Sequence, residues 1–498
     1  MKIRSPKNLN NKESLKFLLS DALLYGGANA FSKAFSLVTF PLIARHFSVE
    51  EFGTFDFFAV LASLLATLII FGQDSSVARY FYEHENTTKR QELISQSFLL
   101  QLVFGGLCVV FLLIFADLII YLVIDIPEAS NYLHLVIIQA PFLVILNFSQ
   151  NLLKWTFERN SFLFISLGVT ISSTFLLLVA IYWLDAGMIE VLWVGVVNSA
   201  FFSLLGLWLV RKWIIIPKEF GFLRVLIKYA FPIGIICSIG AVIPATERWL
   251  ITELLSFDDL GKYAAGARFA MLIALVVSAF QTAWGPFSLS LYKQENAIQI
   301  YNLVLKIFVL LVIFFSFLIA GGAFPLIVFL ATERYSEGAV VVLPLAFGLS
   351  IQSVGWIFEI GISISKRSYL QLYAYFMYLF ATILFIYLFA SFLGIFGIAL
   401  GTLAGHVTKT LIASRLAQAA YPMNWDFKPV FLYIGFAIIF GLGTVLIIEP
   451  LTDIWKCIVL SMLGLVLTIG GMTFLFSSGE LLRVKQTLFN KYRLKLGR

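Results

Sequence analysis

The stretch Leu42-Ile-Ala-Arg-His-Phe-Ser48-Val-Glu50-Glu51-Phe52-Gly53-Thr-Phe55 returns 208 residues later, without a gap, as Leu250-Ile-Thr-Glu-Leu-Leu-Ser256-Phe-Asp258-Asp259-Leu260-Gly261-Lys-Tyr263. In both copies an apolar run ends, a Ser precedes two acids at the spacing of a helix cap, and Gly followed by an aromatic opens the next run. Hydroxyl and carboxylate suit a helix start because they accept from first-turn N–H groups and face the positive end of the dipole. Gly26 and Gly234 keep the same register upstream. Both copies fall at the same kind of connection, so the repeat predicts two parallel halves related about an axis along the membrane normal.

The rest of the chain fits a bilayer. It has 498 residues, 60% hydrophobic and 13% charged, with mean hydropathy +0.94. Soluble domains carry roughly 25% charged residues. A transmembrane helix takes about 20 apolar residues. Runs long enough to cross occur at 20–44, 55–75, 93–116, 131–156, 161–183, 189–210, 228–252, 262–286, 299–323, 338–364, 369–390, 394–416, 429–448 and 455–476. The fold expected is an all-α integral membrane protein of about fourteen spans, V-shaped and working by alternating access. A tail at 1–19 precedes a six-helix half at 20–210; a cytoplasmic linker at 211–227 leads to a second six-helix half at 228–416. Two accessory helices at 417–476 and a basic tail at 477–498 complete it. Little chain is left for a soluble catalytic domain. No cleavable leader is evident, no P-loop occurs, and Cys108, Cys237 and Cys457 lie in apolar runs without metal-ligand spacing.

Charge orients the spans, because Lys and Arg favour cytoplasmic loops. With both termini inside, the tails and inward connections hold 27 of the 35 basic residues, and the outward ones only Arg45, Lys262, Arg334 and Lys456. Outward connections are acidic instead, as at Asp117, Asp125, Glu128, Asp185 and Glu190. The formal net charge of +7 is therefore inner-surface charge facing anionic membrane lipids, not a nucleic-acid footprint.

Four bases remain inside spans. Lys33 lies near mid-depth in the first, on a polar stripe with Gly26, Asn29 and Ser36. Arg248 and Arg268 sit at similar depth in the seventh and eighth spans, toward the outside. Adjacent helical residues point roughly 100° apart, so Glu247 need not neutralise Arg248. Buried charges need partners or a wet cavity, and guanidinium and ammonium groups are good phosphate donors, so Lys33, Arg248 and Arg268 are the candidate cavity cations. Gln352 and Glu359 form a stripe with Gly355, and Asn147 and Asn151 one with Lys154 and Glu158, completing a polar lining. Lys306 reads as a snorkelling residue, His406 as a packed one, and Asp56 and Asp74 as interfacial. Glu247 and Glu359 are the candidate ion-coupling acids, unless they only pair with a base to hold helices together.

Residues 41–55, then Ala78-Arg-Tyr-Phe-Tyr-Glu83, then Glu247-Arg-Trp-Leu-Ile and Asp258-Asp-Leu-Gly-Lys-Tyr-Ala-Ala-Gly-Ala resemble, in order and spacing, the O-antigen or repeat-unit flippases. These form the polysaccharide-exporter branch of the multidrug/oligosaccharidyl-lipid/polysaccharide superfamily. The resemblance implies a non-enzymatic transporter of the bacterial inner membrane, with no cofactor. It would move an undecaprenyl-diphosphate-linked oligosaccharide from the cytoplasmic to the outer leaflet. It further implies coupling to a proton or sodium gradient, and contact with a polysaccharide polymerase and glycosyltransferases. A lipid II flippase and a multidrug or cation antiporter of the same superfamily are the alternatives. A cation antiporter's cavity should be dominated by acids, whereas bases are at least as frequent in mid-span here.

Overall fold

A computed structural model describes residues 11–477 and 479, apart from 124–127, 366, 368 and 424. In chain order the helices are α1 (Asn11–His46), α2 (Val49–Ile70), α3 (Gln73–Phe81), α4 (Thr87–Ile114), α5 (Ala116–Val123), α6 (Ala129–Trp155), α7 (Arg159–Leu184) and α8 (Met188–Val210). The chain continues with α9 (Leu223–Leu254), α10 (Phe257–Ala270), α11 (Ile273–Leu291), α12 (Ala297–Leu330), α13 (Val342–Phe358), α14 (Ile360–Ser365), α15 (Tyr369–Ala420), α16 (Phe427–Ile447) and α17 (Asp453–Leu475). Twelve segments among the described residues are long and apolar enough to cross a membrane. One of them, α15, is two limbs joined across a kink at Gly394 (φ 55°). The 36-residue α1 lies outside the twelve. Each of the fourteen expected spans thus falls on one helix, a limb of one, or consecutive helices. The basic tail beyond 479 and the first ten residues lie outside the described residues.

The repeated Ser motifs cap α2 and α10. Ser48 Oγ accepts from the Glu51 N–H (3.1 Å) while the Glu51 carboxylate accepts from the Ser48 N–H (2.8 Å), a reciprocal capping box. Ser256 Oγ accepts from the Asp259 N–H at 3.1 Å. These acids are first-turn residues, so both helices begin five or six residues before the apolar runs that signalled them. Some expected spans are also broken. Phe71 (φ 43°) and Gly72 (φ 69°) are left-handed and separate α2 from α3, and a turn at Met271 and Leu272 separates α10 from α11.

The two repeats meet directly. A Cβ on Gly53 would collide with the Phe257 carbonyl, and one on Gly261 with the Val49 carbonyl. Position 261 is 53 displaced by the repeat offset, and 257 is 49 so displaced. The contact is therefore reciprocal, as at a two-fold interface. We call this the seam end. Here Arg45 of α1 donates to the carbonyls of Leu330 (2.8 Å) and Phe329 (2.5 Å), ending α12. Tyr335 packs edge to face on Phe40 and Phe52, and Phe269 on Phe40, in the fully buried layer beneath.

Toward the opposite end, α9 runs along α2 and α3. Gly72 lies against Gly234, where a Cβ would come within 2.7 Å of its backbone nitrogen, and Ser76 donates to the Leu226 carbonyl at 3.0 Å. The connection between the halves is pinned to α4: Ser95 accepts from the Ile215 N–H (2.8 Å), and Gln96 bonds both Glu219 O (2.7 Å) and Phe222 N (3.0 Å). The pairing that the repeat makes equivalent to α9 with α2 and α3 is α1 with α10 and α11. There α1 meets α11 but only lightly touches α10. Among the described residues the symmetry is broken on that side. Many large apolar side chains, among them Phe111, Trp183, Trp208 and Ile439, face outward, as a lipid-facing surface requires.

Candidate functional site

The capped helices α2 and α10, with α9 between them, bring four charged side chains together just beneath the seam. Arg248 on α9 donates through Nε to Asp56 Oδ2 of α2 (3.2 Å) and through Nη1 to its neighbour Glu247 Oε2 (3.2 Å). The other Asp56 oxygen lies 3.9 Å from Arg268 Nη2 on α10. Glu247 also accepts from the Tyr263 hydroxyl (3.2 Å) and from the Thr402 hydroxyl on the second limb of α15 (3.0 Å). Arg268 stacks on Phe52 (4.6 Å to the ring centre) and Arg248 lies over Tyr263 (5.4 Å). Asp56, Glu247 and Arg248 are each under 10% exposed.

Three sequence expectations change here. Asp56 is not interfacial but buried, and it is the residue through which the first half holds both arginines. Glu247 does neutralise Arg248, because the long guanidinium reaches back across the angle that separates adjacent helical side chains. Arg248 and Arg268, expected as open cavity cations, share one buried carboxylate instead. Two carboxylates balance two guanidiniums, which is the condition under which such a cluster can stay buried. Asp56 competes with any phosphate oxyanion for these guanidiniums.

The other expected residues lie elsewhere. Lys33 is exposed on α1, so the three candidate cations do not share one environment. Asn29 has its side chain outside the described residues. Asn147 and Asn151, half-buried on α6, bond each other at 2.8 Å, and Gln352 is half-buried on α13. Glu158 leaves that α6 stripe for Lys212 (2.6 Å), because Phe157 turns the chain through a left-handed conformation. Lys306 does not snorkel; it is buried and sits 3.2 Å from Asp426, tying α12 to the start of α16. His406 is packed as expected, its Nε2 2.9 Å from the Tyr378 hydroxyl.

A second buried pair was missed in the sequence. Glu359 caps the C-terminal end of α13, the negative end of its dipole, where a carboxylate is unfavourable without a cation. Lys409 supplies it: Nζ lies 2.6 Å from Glu359 Oε1, with Gln371 donating to Oε2 at 3.1 Å and the Tyr375 ring 5.0 Å away. Lys409 lies toward the inner end of its span, where a cation reads as setting topology. The readable signal was its place on one helical face with Thr402 and His406. Because removing one partner strands the other, Lys409→Met alone is expected to cost about 3–5 kcal/mol, and the Glu359→Leu/Lys409→Met pair far less. Thermal unfolding of the detergent-solubilised full chain checks this; equal losses in the single and double variants would contradict it.

Comparison with known proteins places the first of these clusters inside a family. The polysaccharide biosynthesis protein family matches residues 18–292, a stretch that holds Asp56, Glu247, Arg248 and Arg268 and ends before Glu359 and Lys409. An uncharacterised membrane protein of Haemophilus influenzae is 23% identical over 289 residues, covering 56% of this chain and 67% of its own. Among solved structures, the lipid II flippase MurJ in an inward closed conformation superposes with a TM-score of 0.68 at 15% identity, covering 91% of this chain and 98% of that one. An inward-facing multidrug resistance transporter of the MATE family superposes at 0.60, also at 15% identity, covering 78% and 94%. The reciprocal repeat, the all-helical fold and the match over more than half the sequence lead to one conclusion: the chain belongs to the polysaccharide biosynthesis protein family, with a fold like those of the lipid II flippase MurJ and a MATE multidrug resistance transporter.

Proposed function

We propose that this protein flips an undecaprenyl-diphosphate-linked oligosaccharide, a polysaccharide repeat unit such as that of O-antigen, from the cytoplasmic to the outer leaflet of the bacterial inner membrane. The observation that carries the reading is the buried Asp56–Arg248–Arg268 cluster at the meeting of the two repeats, in a chain of the polysaccharide family. A lipid diphosphate needs guanidinium donors, and alternating access needs a seam that opens at one end while the other closes. In this reading the seam end faces outward, both termini are cytoplasmic, and the structure is in a state closed to the outside. Opening separates Asp56 from the arginines and frees them for the diphosphate. The lipid tail stays in the bilayer throughout. Glu247 and Glu359 are the acids available for coupling to an ion gradient. A polymerase and glycosyltransferases would be the partners that consume and supply the cargo. No group transfer is asked of the chain, so we read it as a transporter and not an enzyme.

Deletion of the protein tests the proposal. It should cause lipid-linked oligosaccharide to accumulate facing the cytoplasm, with surface glycan lost and growth retained. Unchanged surface glycan would overturn it. The fold shared with a lipid II flippase favours a second reading, movement of a peptidoglycan precursor. That reading instead predicts arrest of growth on deletion.

A further inference from the structure

We infer that a groove between α7 and α8 holds a phospholipid with a primary ammonium headgroup, its ammonium on Asp185 and Glu190 and part of one acyl chain between the helices. Because the spans alternate in direction, the α7–α8 connection lies at the same end as the capped starts of α2 and α10. The lipid therefore belongs to the leaflet beside the seam.

Nearer mid-span the two helices are tied together. Ser172 donates to Asn198 Oδ1 (2.6 Å), Asn198 donates to the Val169 carbonyl (3.1 Å), and a Cβ on Gly168 would lie 2.7 Å from the Phe202 ring. Between that tie and the connection the helices leave a cavity of about 330 Å³, within the size range of small-molecule sites. Leu176, Ala180, Trp193 and Val197 wall it, and Asp185 and Glu190 stand at its connection end. Trp193 and Val197 are 45% and 54% exposed, so the cavity is open on the side that faces lipid.

Charge at the connection runs one way. From Asn160 to Val210 the chain has two acids, Asp185 and Glu190, and no Lys, Arg or His. Both acids are exposed, and among the described residues neither forms an ion pair. Asp185 ends α7 in a left-handed conformation (φ 47°), which sets its carboxylate at the negative end of that helix dipole, where a cation is favoured. A Cβ on Gly187 would lie 3.0 Å from Glu190 Oε2, so this second carboxylate folds back over the connection that Asp185 begins.

Charge complementarity and the apolar wall together select the occupant. A primary ammonium has three N–H donors, enough to serve both carboxylates, and the Trp193 ring beside them offers a π face to the same cation. The apolar wall suits an acyl chain, which a free metal ion or a small soluble amine does not bring. An ethanolamine phospholipid supplies both parts, with its phosphate left in water away from the acids. A glycerol headgroup brings only negative charge to the same place and is repelled, and a choline ammonium has no N–H to donate. Tyr182 and Trp183, 62% and 80% exposed, flank the connection as aromatics of the membrane interface do.

The test uses the full chain in phosphatidylcholine vesicles with a trace of ethanolamine, glycerol or choline phospholipid that carries a diazirine on its acyl chain. After irradiation and digestion, mass spectrometry measures lipid adducts on residues 176–197. Wild type is expected to be labelled there several-fold more by the ethanolamine lipid than by either of the others. Asp185→Asn/Glu190→Gln, in which Asn keeps the left-handed cap, should be labelled equally by the ethanolamine and glycerol lipids. Val197→Trp, which fills the groove from an exposed position, should lose labelling by all three. Thermal unfolding shows that each variant is folded. Equal labelling of wild type by the ethanolamine and glycerol lipids, a choline lipid that labels as well as the ethanolamine one, or an ethanolamine excess that survives in the double variant would overturn the inference. Labelling does not depend on movement of any cargo, so its failure leaves the export reading standing.

Discussion

Replacing Arg248 with Ala is expected to abolish export of the proposed glycolipid cargo. Arg248 is the common partner of Asp56 and Glu247, so its loss leaves buried Glu247 without its cation and Asp56 with Arg268 alone, 3.9 Å away, and removes a candidate diphosphate donor. Losing one partner of a buried, hydrogen-bonded charge pair costs about 3–5 kcal/mol, which at about 1.4 kcal/mol per decade is a hundredfold or more in an equilibrium. Two effects are mixed in that number, instability and lost binding, and two further variants separate them. Arg248→Lys keeps the charge but lacks the planar fork that reaches Asp56 and Glu247 together, so it should be stable with export reduced. The Asp56→Asn/Arg248→Gln pair restores neutrality and should recover protein abundance without recovering export. The measurement is surface glycan display beside the amount of protein in the membrane. Normal display in Arg248→Ala at wild-type abundance would sink the assignment of this arginine to the cargo.

Gly261→Leu is the second large effect. The side chain would have to occupy the space of the Val49 carbonyl, and a backbone atom cannot move aside as a flexible side chain can. Overpacking a close contact costs about 1–3 kcal/mol even where neighbours can shift, and here the cheaper response is to part the two repeats. The seam should then stand open. Spin labels at Glu50 and Asp258, exposed positions related by the repeat offset, report it: the variant should populate a longer distance than wild type. Gly53→Leu should do the same, since the contact is reciprocal, and both should lose export. An unchanged distance distribution would mean that the seam is not where the halves separate.

Much of this was legible in the sequence because it rests on local rules. The caps at Ser48 and Ser256, the register of the repeat and the span count follow from helix-end chemistry and apolar run length. The seam itself was half visible. The repeat showed Gly53 and Gly261 to be equivalent, but not that equivalent glycines would touch, since contact across an axis is a tertiary fact. The charge partners were the least legible. Asp56 and Arg248 are separated by 192 residues, and Lys409 and Glu359 by 50, so no local spacing announces either pair. Asp56 looked interfacial because it follows a cap by eight residues, and only the packing of α9 against α2 buries it. Lys306 misled for a similar reason, since Asp426 lies in a connection that apolar-run reading leaves without a place.

The central claim, movement of a lipid diphosphate through a seam between two repeats, is tested most directly in vesicles. The full chain is reconstituted with an undecaprenyl-diphosphate oligosaccharide that carries a fluorophore on the sugar, and an impermeant quencher reads how much faces outward. Wild type should bring fluorophore across the bilayer until an imposed ion gradient is spent, and Arg248→Lys should do so far more slowly. Equal rates for wild type, Arg248→Lys and protein-free vesicles would contradict the account.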